Sequence, residues 1–239
     1  MGGRKLFEIL QPFLLEHKIK IGRDGFFDLL QASDLLVRRK KRKVYTTQSY
    51  HWFKKYPNKV KGVLPERPNH IWVSDITYWK INCGHVYISL ITDAFSRKIV
   101  GYHVADTLEA VETAQALKEA LNDLPKTVKE LIHHSDRGIQ YCSAEYVNLL
   151  HARGVEISMT ENGDPYENAL AERVNGILKE EYLYDYTADN LEQARSVLDF
   201  VIGLYNKERP HLSCSYKTPE LVHKNGHEVK GAKRVVKRH

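Results

Sequence analysis

Apolar residues at Leu6, Ile9, Leu10, Phe13 and Leu14 recur three and four positions apart, which predicts an amphipathic helix over 3–17. The same spacing returns over 23–31 with Phe26, Phe27, Leu29 and Leu30. Two short helices followed by Leu35-Leu36-Val37 and basic residues fit a helix-turn-helix-like or winged unit, and an ordinary helical hairpin fits nearly as well. Segment 46–69 is aromatic, basic and punctuated by Pro57, Pro65 and Pro68, and it reads as a linker.

After Asn69 the pattern turns to β. Runs 71–80, 86–92 and 99–104 are rich in Ile, Val, Thr, Tyr and Trp, with breaks short enough for antiparallel hairpins. A helix over 108–124 is ended by Pro125, a short strand occupies 131–134, a helix over 144–153 is closed by Gly154, and a strand follows at 155–159. A polar loop, 160–165, leads into helices over 167–183 and 191–206. Three antiparallel strands joined to parallel ones through crossover helices predict an α/β fold, a mixed five-stranded sheet flanked by helices.

The 239 residues suit one good-sized core with a smaller attachment. With 42% hydrophobic and 28% charged residues the composition is globular, which excludes overall disorder. The N-terminal stretch has no apolar signal core, and nowhere do about 18 apolar residues run together, so neither a membrane span nor secretion is expected. Cys83, Cys142 and Cys214 are odd in number and far apart, which argues against a disulfide framework or a cysteine zinc site and makes a reducing cytoplasm the default.

The net charge of +6 conceals a segregation. Residues 1–69 hold 16 Lys and Arg against 6 Asp and Glu, residues 70–221 hold 14 against 23, and residues 222–239 hold 6 against 1. Basic flanks suited to a polyanion thus enclose an acidic middle. Arg38, Arg39, Lys40, Lys41, Arg42 and Lys43 form the densest run, equally readable as a phosphate-binding arm or a solvated linker. The expected organisation is a basic helical DNA-binding arm at 1–45, a linker at 46–69, a core at 70–221 and a basic, disordered tail at 222–239.

Three acids stand out by position. Asp75 sits mid-strand among apolar and β-branched residues, where an ionised carboxylate needs a partner. Asp136 directly follows the fourth strand, where the carboxyl ends of parallel strands line a ligand crevice. Glu172 shares one polar helix stripe with Asn168, Asn175 and Lys179, opposite an apolar face of Leu170, Val174, Ile177 and Leu178. Taken singly each is a weak signal, because most acids are surface residues.

Taken together, Asp75, Asp136 and Glu172, the last two separated by 35 residues, resemble the Asp-Asp-Glu triad of the retroviral-integrase and insertion-sequence transposase superfamily. Lys179, seven residues on, stands where that family places a basic residue. The segments WVSDITY, LITDAFSRKIVGY, HHSDRGIQYCSAEY, PYENALAERVNGILKEE and YNKERPHLSCSYKTP resemble the integrase-core transposases encoded by the second reading frame of bacterial insertion sequences, across 70–221. Two departures are Glu167, where aspartate is commoner, and Arg173-Val174-Asn175, in place of a more aromatic run. The paired His and Cys of a retroviral zinc domain are missing, so zinc is not implied.

The resemblance implies a ribonuclease-H-like core in which the triad holds two Mg²⁺ or Mn²⁺ ions per active site. Two hard cations can stabilise the entering and leaving oxygens of a phosphodiester exchange. It further implies cleavage at element ends and joining by the freed 3′-hydroxyl, with terminal inverted repeats and target DNA as partners. A homo-oligomer on DNA, an upstream-frame helix-turn-helix protein and action in the cytoplasmic nucleoid belong to the same expectation. Lys179, Asn168, Asn175 and the 38–43 run are the expected DNA contacts. The rivals are a metal nuclease that cuts without joining and a decayed copy that binds DNA without chemistry, although the triad is intact.

Asp93 is a fourth acid near the sheet, readable as catalytic but better as a turn cap or ion-pair partner, and His133 and His134 could approach the metals although strand-end packing is the stronger reading. His211 in Arg209-Pro210-His211 belongs to a structural signature, and Gln140, Tyr141 and Ser143 resemble the family motif and could shape the groove or cap the next helix. No Arg/His-rich pocket surrounds any of the 14 tyrosines, which sets aside a tyrosine recombinase.

Overall fold

A computed structural model of the chain describes residues 2–36, 51–161 and 168–226. The basic run 38–43, part of the predicted loop 160–165 and most of the predicted tail lie outside the described residues.

Helices α1 (Gly3–Glu16) and α2 (Arg23–Ala32) pack on each other through Leu14, Phe26 and Leu30, with the Phe7 and Phe26 rings 5.3 Å apart. The chain then reaches β1 (Ile71–Ile81), β2 (Gly84–Asp93) and β3 (Ile99–Ala105). β1 and β2 are joined by the tight turn Asn82-Cys83, after which Gly84 takes φ +144°, a conformation that favours glycine. Helix α3 (Ala110–Asn122) crosses to β4 (Ile132–Ser135), and the short α4 (Ile139–Cys142) and α5 (Ala144–Ala152) lead to β5 (Glu156–Met159). Helices α6 (Ala169–Glu181), α7 (Leu191–Glu208) and α8 (Pro219–Lys224) complete the described chain.

The sheet order is β3-β2-β1-β4-β5, with the first three strands antiparallel and β4 and β5 parallel to β1. This is the mixed five-stranded sheet that the alternation of β-rich and helical segments predicts. Strand alternation sends Trp72 and Ile76 to one face, where they meet Leu117 and Leu121 of α3 and Tyr146 and Leu150 of α5. On the other face, Trp79, Ile88 and Leu90 meet Val174, Ile177 and Leu178 of α6 and Leu198, Val201 and Tyr205 of α7. The apolar stripe predicted for α6 is therefore the face it buries. Gly101 lets α3 lie directly on β3: a Cβ there would overlap the Ala116 carbonyl oxygen and the Ala120 side chain.

The four-residue α4 and the six-residue α8 are additions to the predicted elements, being too short to show a helical period. Among the described residues no helix is long and apolar enough to cross a membrane.

Candidate active site

β1 pairs with β4 only at Ile71, Trp72 and Val73, so its edge on that side opens just before Asp75. Asp136 leaves the end of β4 beside this opening, and Glu172 rises from the first turn of α6, which packs against β1. Two asparagines fasten the helix to the strand. Asn168 Nδ2 donates to the Ser74 carbonyl at 3.0 Å, and Asn175 Nδ2 donates to Asp75 Oδ2 at 2.8 Å. Both side chains are buried, so residues expected to contact DNA lie instead at the helix–strand interface.

Asp75 also accepts from the Ile76 amide at 2.9 Å. Burial and then the nearby Asp136 charge push its pKa up to about 7, with Glu172 adding in the same direction. The bonds from Asn175 and Ile76 oppose that rise without cancelling it. The Asp136 carboxylate accepts from the Gly138 amide at 2.9 Å, which folds the strand end back on itself. A side chain at 138 would crowd Asp136 Oδ1, so glycine suits the bend. Among the described residues no group of three or more His, Cys, Asp or Glu side chains draws together closely enough to hold an ion unaided.

The donor chemistry nevertheless fits a hard divalent cation. Every candidate ligand is an oxygen, and the mutual repulsion felt by Asp75 is what a cation relieves. Asn175 Oδ1, beside Asp75, is buried and has no hydrogen-bond partner.

Lys179 lies two turns along α6 with Nζ 3.8 Å from the centre of the Tyr78 ring, a cation–π contact. Burial lowers its pKa, and the Asp75 charge works against that shift. Tyr141 is buried, with its hydroxyl pKa pushed well up by burial and by the Tyr146, Asp136 and Asp75 charges.

The supporting residues take the structural duties their positions suggested. Asp93 is fully buried and accepts from the Asn69 amide at 2.7 Å and from the Ser96 amide and hydroxyl at 2.7 and 2.6 Å, closing the β2–β3 turn. His133 Nε2 lies 2.7 Å from Ser74 Oγ and 2.9 Å from the Tyr146 hydroxyl, and His134 Nδ1 lies 2.9 Å from Ser158 Oγ. Ser143 caps α5 through the Tyr146 amide, and Gln140 donates to the Leu108 carbonyl.

Sequence reasoning missed the Arg209–Glu181 pair, because a charged residue in a polar segment reads as exposed. Its signal was the unbroken motif around His211, whose ring packs against Arg209. Trp52 was also passed over, as part of a linker.

Residues 65–165 match a family described as "Integrase core domain", and residues 153–219 match a second family of the same description. The insertion element IS600 uncharacterized 31 kDa protein of Shigella sonnei is 33% identical over 92% of this chain and 81% of its own length. The transposase for insertion sequence element IS629 of Shigella sonnei is 31% identical over 82% of this chain and 66% of its own. A putative transposase for IS986/IS6110 of Mycobacterium tuberculosis is 37% identical over 50% of this chain, which spans 44% of that relative.

Among solved structures, the HTLV-2 integrase catalytic core domain in complex with magnesium superposes with a TM-score of 0.53 at 24% identity, covering 66% of this chain and 97% of that one. A simian T-cell lymphotropic virus intasome in complex with PP2A regulatory subunit B56 gamma gives 0.58 at 21% identity, covering 93% and 74%. These likenesses establish the ribonuclease-H-like fold.

Proposed function

The chain belongs to the integrase-core transposases of bacterial insertion sequences, DNA transposase/integrase enzymes of the retroviral-integrase superfamily, and we propose that it cuts DNA at element ends and joins the freed 3′-hydroxyl to a target phosphodiester. Asp75, Asp136 and Glu172 are the proposed holders of Mg²⁺ or Mn²⁺, two ions per site. When bound, such ions neutralise charge on the phosphodiester and favour ionisation of the attacking hydroxyl. The observation that most supports this reading is that the charges of Asp136, at the end of β4, and of Glu172, on α6, both act on the buried Asp75 of β1.

The chain's own residues orient and anchor. Asn175 fixes one oxygen of Asp75, and the Gly138 amide fixes one of Asp136, so neither carboxylate must be ordered as substrate arrives. Asn168 and Asn175 act as positioning residues, in place of the DNA contacts first expected of them. Lys179 and the run Arg38 to Lys43 supply positive charge for phosphates. DNA partners are the terminal inverted repeats and target DNA, bound by a homo-oligomer at the nucleoid, with an upstream-frame helix-turn-helix protein helping to read the ends.

The test is incubation of the protein with labelled element-end DNA and a target plasmid in Mg²⁺ or Mn²⁺. Cleaved and joined products are expected, and both should vanish in Asp75→Asn, Asp136→Asn and Glu172→Gln variants that still fold. Full strand transfer by any one variant would overturn the metal-site assignment. Cleavage without joining would favour the plain nuclease, and binding without cleavage the decayed copy.

A further inference from the structure

Trp52 is 89% exposed, whereas the other two tryptophans, Trp72 and Trp79, are buried. A lone exposed apolar side chain is ordinary. This one is built into a support. One face of the indole stacks on Phe53, with ring centres 4.7 Å apart and planes inclined by 19°. Phe53 and Tyr56 pack in turn against the core on the Trp72 face of the sheet, which anchors the segment there.

The preceding residue ties the platform to the acids. His51 Nε2 donates to the Arg137 carbonyl at 2.7 Å, and Arg137 is the residue after Asp136. Cations adjoin the segment. Lys54 and Lys55 follow the Trp52-Phe53 pair, Lys54 lies over the Tyr56 ring at 5.1 Å, and Lys55 and Arg137 both lower the Cys142 thiol pKa, against burial and the Asp136 charge, which raise it. A flat apolar face beside cations and a phosphodiester-handling carboxylate matches one occupant chemically: a nucleobase that has left its partner strand.

We propose that Trp52 is a stacking platform for an unpaired base of the DNA strand whose phosphodiester is handled at Asp75 and Asp136, with Lys54 and Lys55 holding the adjoining phosphates. The proposal rests on the function given above and adds to it a site for single-stranded DNA. An aromatic face replaces the stacking that a base loses when it leaves the duplex, and it does so for any base, so the platform favours frayed ends over particular sequences.

The experiment is a metal-free binding titration of the whole protein with a labelled oligothymidylate and, separately, a blunt duplex, read by anisotropy alongside intrinsic tryptophan fluorescence. Wild-type emission should be quenched by the single strand, because Trp52 alone among the tryptophans is accessible. Trp52→Ala should bind the single strand about ten-fold more weakly, Trp52→Tyr should recover most of that loss, and duplex affinity should change little. A melting curve of Trp52→Ala matching wild type is expected, since the side chain is exposed.

Equal single-strand affinity in Trp52→Ala and wild type would overturn the platform, as would an equal loss on duplex and single strand. Binding without metal separates this proposal from the catalytic one. An inactive protein with Trp52-dependent single-strand binding keeps the platform and loses the transposition reading; an active protein indifferent to Trp52 does the reverse.

Discussion

Arg209 forks onto Glu181, with Nε and Nη2 each 2.8 Å from one of the two carboxylate oxygens, and the guanidinium is almost entirely buried. The pair binds the residue after α7 to the last residue of α6, the helix that presents Glu172. Burial by itself would raise the Glu181 pKa, yet the hydrogen bond and charge of Arg209 hold it below the usual range.

Glu181→Gln should therefore be strongly destabilising, because it leaves Arg209 buried without a counter-charge. A loss of about 3 kcal/mol is expected in denaturant unfolding. The double variant Glu181→Leu/Arg209→Met should recover most of that loss, since it removes both buried charges together.

Asn175→Ala should lower strand transfer about ten-fold by releasing Asp75 from its fixed orientation. Affinity for element-end DNA should stay within about two-fold of wild type, as a buried amide makes few phosphate contacts. A parallel fall in binding and joining, measured on one preparation, would return Asn175 to the role of a DNA contact.

Lys179→Ala should weaken end-DNA binding and reduce the slope of log K against log[salt] by roughly 0.9, the value of one duplex phosphate contact. Its thermal cost should be small, about 1 kcal/mol for the lost contact with Tyr78. Lys179→Arg should keep most of both. A large melting shift would mean that the side chain mainly holds α6.

Neutralising Arg38 to Lys43 should flatten the same salt slope by roughly 0.9 for each phosphate contact removed, with little change in sequence preference. Binding isotherms at four salt concentrations decide it. An unchanged slope would make the run a solvated linker.

Stability should fall on mild acidification. Burial first, and the neighbouring His134, push His133 down to about 3; burial and Arg209 push His211 down to about 2. Below pH about 6.5 the unfolded chain binds protons that the folded one refuses, at roughly 1.4 kcal/mol per pH unit for each histidine. Their stabilisation is whole above that pH and is lost progressively below it. Asp75, raised to about 7, works in the opposite direction between about pH 7 and 4, so the net slope is that of about one group. Melting temperatures should drop between pH 7 and 5 in wild type and drop less in His211→Asn.

The strands were readable because β1, β2 and β3 are rich in β-branched and aromatic residues with short breaks between them, and the triad was readable only from the resemblance of the three acids and their surrounding motifs to a known family. The direction of the α6 polar stripe was not. Polar residues at Asn168, Glu172, Asn175 and Lys179 suggest a solvent-facing side, but Asn168 and Asn175 turn toward Ser74 and Asp75. A helical wheel shows which residues share a face, and only packing shows whether that face meets water or a polar site. Arg209 was hidden for a related reason: burial of a charge depends on a partner 28 positions away, which no local pattern records.

The order of strands in the sheet has a kinetic side. β1, β2 and β3 form a meander from short connections, while β4 reaches β1 only through the long crossover that sets Ile132 opposite Ile71, and closing a long loop is slow. Asp75 lies in the local meander, Asp136 beyond the long crossover, and Glu172 on a helix further along the chain. A nascent or half-folded copy has one proposed ligand without the other two. On the function proposed here, the metal-holding set is complete only in a chain that has made α6 and closed the sheet.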